Sequence, residues 1–287
     1  METNRYLRPA AFHQAQEDTH NRLTKRRVIE LRYLIYSQRK WIFLPMACFF
    51  IFQSNLISQD LSCLTIQAER GDARSQYHLG KVYFDGEVTA QNLEKAVFWW
   101  CKAAEQGDAD AQCSLGIAYR RGQGVQMDLE EAVTWWRKAA EQGNSDGQWL
   151  LGSAYYNAEG VKRNFKKAAQ WYLKAAEQGN AKAQTDLGMM YHDGSGMMKD
   201  PKRAVYWWQK AAEQGEARAQ FHLGKMYFNG WGVNKDLVYA FVWIRLAAAN
   251  GWEKAQSSLR VVTNELTATQ LSEAEILFLD WSKKFEK

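Results

Sequence analysis

Five histidines, His13, His20, His78, His192 and His222, are the side chains of this 287-residue chain best suited to moving protons or binding metal near neutral pH. No two stand four residues apart and no HExxH occurs, so nothing sets two imidazoles on one helix face around an ion. Gly143-Asn144-Ser145-Asp146-Gly147 spells GxSxG, which in hydrolases exposes a serine nucleophile at a strand-to-helix turn. The same columns elsewhere read Gly107-Asp108-Ala109-Asp110-Ala111, without the hydroxyl, so a turn between two helices is expected instead. The GxG stretches lack the third glycine and the preceding strand of a dinucleotide site. Glu130-Glu131 and the Glu105 column fall at solvated helix ends. Cys48, Cys63, Cys101 and Cys113 form no CxxC pair, which argues against structural zinc. Cys101 and Cys113, six residues either side of Gly107, are read as two thiols, with a bridge across the turn as the alternative. No catalytic residue, metal site or cofactor is expected.

What must position these side chains is a repeat. Ala104-Glu105-Gln106-Gly107 recurs at Ala140 to Gly143, Ala176 to Gly179 and Ala212 to Gly215, with looser copies at Ala68 to Gly71 and Ala248 to Gly251. Every spacing is 36 residues. The columns beginning Gln76, Leu79, Gly80, Tyr83 and Trp99 keep step, and such a period is the mark of a solenoid. Each unit predicts two helices. Helix A of the first starts at the N-cap Asp72 and points Gln76, Leu79, Gly80 and Tyr83 inward. Helix B starts at Asn92, Asp128, Asn164, Asp200 or Asp236, with Pro201 at a first helical position, and stops at the Gly of AEQG. The mid-helix glycines imply close helix approach, expected to face Ala-Ala pairs such as Ala103-Ala104. Trp99, Trp135, Trp171, Trp207 and Trp243 are expected to supply the buried rings, with Trp171→Ala disturbing more than its own unit.

Charge divides the chain. Residues 1–40 hold nine Lys/Arg against four acids, and the remainder is balanced. A neutral body lacks the basic stripe of a nucleic-acid binder. The apolar run Trp41 to Phe52 is too short for an ordinary spanning helix but suits a signal-peptide core. An export signal, a signal anchor or interfacial membrane segment, and a helix docked on the first repeat all remain open for this leader, residues 1–65. The five units occupy 66–251. A partial repeat and capping helix fill 252–287, where Thr267 and Gln270 form a capping box, Leu271, Ala274, Phe278, Trp281 and Phe285 form a stripe, and Glu273, Glu275, Asp280 and Lys284 form a polar outer face.

Ala111-Gln112-Cys113-Ser114-Leu115-Gly116 and its continuation to Gly143 resemble the Sel-1-like repeat family, related to TPR repeats. Asp72 to Lys287 carries the resemblance. It implies an all-α, right-handed superhelical α/α solenoid that serves as an adaptor between proteins, and bacterial members of the family are often exported. Val88 replaces the second loop glycine in the first unit and Ala158 the first in the third, so differently shaped loops are expected there.

A protein or peptide partner should then meet the helix A surface opposite the inward stripe. The residues placed there are Arg74, His78, Lys81, Arg121, Asp186, Met189, His222 and Lys225, flanked by Trp149 and Tyr156. Trp149, Tyr156 and Arg121 are the expected centre. The alternative for the flanking aromatics is packing between helices. Two other readings are an enzyme or enzyme regulator acting on cell-envelope glycans, and a leader that tethers the chain to membrane or nucleic acid.

Overall fold

The computed structural model describes residues 60–283. Among them every regular element is helical, and the expected solenoid is present. After a helical stretch at 60–69 come five helix pairs: α1 (Ala73–Asp85) and α2 (Leu93–Glu105), α3 (Ala109–Arg121) and α4 (Leu129–Glu141), α5 (Ser145–Asn157) and α6 (Phe165–Glu177), α7 (Ala181–Asp193) and α8 (Pro201–Ala212), α9 (Ala217–Asn229) and α10 (Leu237–Ala249). Helices α11 (Lys254–Glu265) and α12 (Ala268–Ser282) complete the array. From α1 to α10 each helix packs against the one that follows it.

Local chemistry sets these boundaries as the sequence predicts. Asp72 Oδ1 accepts from the Ser75 N–H at 2.7 Å, and Asn92, Asp128, Asn164, Asp200 and Asp236 cap the second helix of each pair in the same way. Gly107 and its equivalents are left-handed, with φ from 84° to 97°. Ala158 departs from the expectation of a reshaped loop. At φ 64°, ψ 38° it adopts the left-handed conformation of Gly122, at 65° and 34°, so the alanine accepts strain and the loop keeps its form. Elsewhere the second loop glycine lies against the preceding B helix, as Gly124 does against the Leu93 carbonyl. For Val88 the equivalent partner position is residue 57, outside the described residues.

Two expectations about the core need correction. The mid-helix glycines do not face the Ala-Ala pairs. A Cβ on Gly80 would stand 2.5 Å from Trp100, and Gly116, Gly152, Gly188 and Gly224 meet Trp136, Tyr172, Trp208 and Ile244 in the same manner. The deeply buried column is thus Trp100, Trp136, Tyr172, Trp208 and Ile244, one residue beyond the predicted one. In the predicted column Trp135, Trp207 and Trp243 are buried, but Trp99 and Trp171 are only half covered. One residue is a 100° turn of a helix, enough to move a ring from the A–B seam toward the outside.

A hydrogen-bonded ladder runs through the array. Gln76, Gln112, Gln148, Gln184 and Gln220, all buried, donate to the carbonyls of Ala68, Ala104, Ala140, Ala176 and Ala212 at 2.9 to 3.3 Å. Each accepts in turn from the AEQG glutamine of its own unit: Gln106, Gln142, Gln178 and Gln214, with Asn250 in the last. Both polar ends of every buried amide are thereby satisfied.

At the C-terminal end the capping box of Thr267 and Gln270 forms, and α12 lays Leu271, Phe278 and Trp281 on the core around α10. Its outer face is less polar than expected. Glu275 turns to an ion pair with Arg245, while Ile276 (68% exposed) and Leu279 (56% exposed) meet solvent. Lys284, Phe285, the leader to residue 59, Cys48, His13 and His20 lie outside the described residues. No described helix is long and apolar enough to cross a membrane.

Candidate protein interface

The helix A face is shaped by how closely successive A helices pack. Its residues were expected to stand uniformly clear of the core, and Arg74, His78, Lys81 and Asp85 on α1 do. Farther along, Leu150 is 4% exposed and packs into the middle core cluster, while Asp186, Met189 and His222 are half-buried. Neighbouring A helices cover one another, which 100° periodicity within a single helix cannot reveal.

The predicted partner-binding residues therefore sort into bonded and open groups. Arg74 Nη1 pairs with Asp110 Oδ2 at 2.6 Å and Asp108 Oδ2 at 3.4 Å, a link between units that raises the guanidinium pKa further. Trp149 Nε1 donates to Asp186 Oδ2 at 2.7 Å, Lys182 covers the Trp149 ring at 4.9 Å, and Arg218 pairs with Asp186. Three consecutive units are clasped by that chain. Tyr156 stands edge-on to Phe165 at 5.1 Å and Met189 packs on the C-terminal core, so packing accounts for both. His222 stacks on Trp208 at 4.9 Å, and burial, then Arg218 and Lys225, hold its pKa down to about 4. His78 is exposed, and partial desolvation, then Arg74, lower its pKa.

The open residues surround two cavities. Lys81 and Arg121 line one of about 260 Å³ between α1 and α3, with Tyr77, Phe84, Trp100, Ile117 and Gln123. Arg121 is thus grouped with Lys81 rather than with Trp149 and Tyr156. Behind this lining, Trp100 Nε1, set against Gly80, and Gln123 Oε1 are buried and make no hydrogen bond among the described residues. The equivalent indoles do: Trp136 donates to the Cys113 carbonyl at 3.3 Å and Trp208 to the Thr185 carbonyl at 3.0 Å. Lys225 lines the second cavity, about 340 Å³, with Phe228, Trp231 and Val262. Sequence reasoning missed the Trp100 and Gln123 atoms, because an orphaned polar group is visible only once its neighbours are placed.

The serine, the cysteines and His192 have ordinary structural surroundings. Ser145 is the first residue of α5, its turn held by Asn144 Oδ1 accepting from the Gly147 N–H at 2.9 Å, and α4 rather than a strand precedes it. Burial pushes the Cys113 thiol pKa far up, and its Sγ contacts Asn144 Oδ1 at 3.4 Å; Cys113 and Cys101 are both free thiols. His192 is half-buried beside Trp208, at 5.6 Å, and Trp231, at 6.1 Å, and its Nδ1 pairs with the exposed Asp193. Among the described residues no cluster of His, Cys, Asp or Glu could hold a metal ion.

The family model described as "Sel1 repeat" matches residues 73–108, 109–144, 145–180, 181–216 and 217–252. Among solved structures, a Sel1 repeat protein from Oxalobacter formigenes is 31% identical, with a TM-score of 0.68, over 84% of this chain and 96% of that one. A protective antigen, c5321, present in uropathogenic Escherichia coli strains and displaying an SLR fold, is 33% identical with a TM-score of 0.59 over 78% of this chain; the match spans 55% of the antigen. No curated protein matches significantly. With five matched units in unbroken register, the chain belongs to the Sel1 repeat family.

Proposed function

We propose that this chain is a non-enzymatic scaffold that holds an extended segment of a partner protein along its A helices, anchored between α1 and α3. Sel1 repeat proteins typically serve as protein-interaction scaffolds. The observation that carries the finer reading is the lining of the first cavity, where two cations, Lys81 and Arg121, stand beside the apolar surfaces of Phe84 and Ile117. Lys81 and Arg121, free of ion pairs among the described residues, outnumber the single acid of the lining, Asp85, and favour an acidic residue beside an apolar anchor seated on Phe84 and Ile117. The test is affinity capture with the intact chain, comparing wild type with Lys81→Glu/Arg121→Glu. Partners lost from the variant support the reading; an unchanged set of partners overturns it.

For location, the basic flank and the apolar run Trp41 to Phe52 support export or membrane attachment. Fractionation that recovers the full-length chain wholly in soluble cytosol would remove that reading.

A further inference from the structure

The opposite, helix B surface carries a second feature that the A-helix reading does not use. Between α4 and α6, over α5, lies a cavity of about 620 Å³ walled by Leu151, Tyr155 and Trp171. Three cations reach it: Arg137, whose Nη2 is 3.5 Å from the Tyr155 hydroxyl; Lys167, 5.2 Å from the Tyr155 ring; and Lys174, 4.3 Å from the Trp171 ring. None of the three has an ion pair among the described residues, and Glu141 is the one acid in the lining. Aromatic faces hold the two lysines and a phenol oxygen the arginine, with no carboxylate on any of them, so their charge stays available to a ligand.

The repeat supplies its own control. At the junction before, the equivalents of Arg137, Glu141, Lys167 and Lys174 are Cys101, Glu105, Glu131 and Lys138, one cation against two acids. At the junction after they are Leu173, Glu177, Arg203 and Lys210, and Arg203 is engaged by Asp200 at 3.5 Å and by Tyr191 at 3.2 Å. At the last they are Gln209, Glu213, Tyr239 and Leu246, with no cation. The framework needs no positive charge at this place, yet the junction of the second and third units carries three cations against one acid, more than the other junctions compared.

We infer that this cavity is a second binding site, for an acidic peptide segment. The charge surplus selects carboxylates, and the leucine and indole walls suit the apolar residues between them. The cavity opens broadly to solvent, and its volume suits a peptide laid across it rather than one small oxyanion. This site is separate from the α1–α3 cavity and stands or falls without it.

The experiment is fluorescence anisotropy of a labelled Leu-Glu-Glu-Leu-Glu-Glu peptide on the intact chain. The variant is Arg137→Leu/Lys167→Glu, which installs side chains that neighbouring units already carry at those positions, with circular dichroism to check the fold. At least a tenfold weakening in this variant, with no change in Lys81→Glu/Arg121→Glu, supports the site. Equal binding by wild type and by the folded Arg137→Leu/Lys167→Glu variant overturns it. So does displacement of the peptide by inorganic phosphate as readily as by unlabelled peptide.

Discussion

Two columns of aromatic residues run side by side down the second helices of this array, and they do different work. The column of Trp100, Trp136, Tyr172 and Trp208 fills the seam under the mid-helix glycines, and its members are almost wholly enclosed. The column of Trp99, Trp135, Trp171 and Trp207 lies one residue back, where lysines lean over the rings: Lys138 at 3.8 Å from Trp135 and Lys174 at 4.3 Å from Trp171. The difference teaches that recurrence in every unit does not by itself mean burial. One column is enclosed in every unit, and the other is buried at Trp135 and Trp207 but only half covered at Trp99 and Trp171, where a ring can still meet a ligand.

The largest expected effect tests this contrast directly. Trp136→Ala removes a ring that is 1% exposed and should cost about 3–5 kcal/mol, lowering the thermal midpoint of the whole array because adjoining units share the seam. Trp171→Ala, at a half-covered ring, should cost clearly less; equal losses in the two melts would erase the distinction. Next comes acid. His222 lies against Trp208 with its pKa held down to about 4, whereas an unfolded histidine titrates near pH 6.5. Between those values the unfolded chain takes up a proton that the folded chain refuses, so stability falls as pH drops from about 6.5 toward 4. The loss has an upper bound of roughly 3 kcal/mol, and His222→Gln should flatten that part of a urea-midpoint profile.

Gly188→Ala drives a Cβ to 2.6 Å from Trp208 Nε1 and should destabilise by about 1–3 kcal/mol. A silent substitution would show that the buried column is looser than described. The smallest effect lies outside both columns. Ala158→Gly relieves the only left-handed non-glycine among the described residues and should raise stability by about 1 kcal/mol, measurable as a higher denaturant midpoint.

The frame of this molecule was legible because each boundary rests on a residue whose local chemistry is unambiguous, such as Asp72 at an N-cap or Gly107 beyond a C-terminus. Choosing between Trp135 and Trp136 was not possible by the same route. Both columns are aromatic in nearly every unit, and helical periodicity fixes relative angles without saying which angle faces the neighbour. The Gln76 and Gln106 columns were visible as columns, but their mutual bond joins side chains 30 residues apart and emerges only from the packed pair. The interface was legible in part. Lys81 and Arg121 stand open as expected, whereas Trp149 and Asp186 are spent on a clasp between units, a long-range pairing that residue type alone does not announce.

The amide ladder has a consequence for how such an array can grow. Every interior unit offers its successor the same alanine carbonyl and makes the same demand on its predecessor. Excising one full period, such as residues 145–180, would therefore bring Gln112 and Gln184 into successive places with the bonding of each rung preserved. Gain or loss of a whole period changes the length of the surface while leaving no orphaned amide behind, so the gene can lengthen or shorten its product in single-unit steps wherever the cut falls.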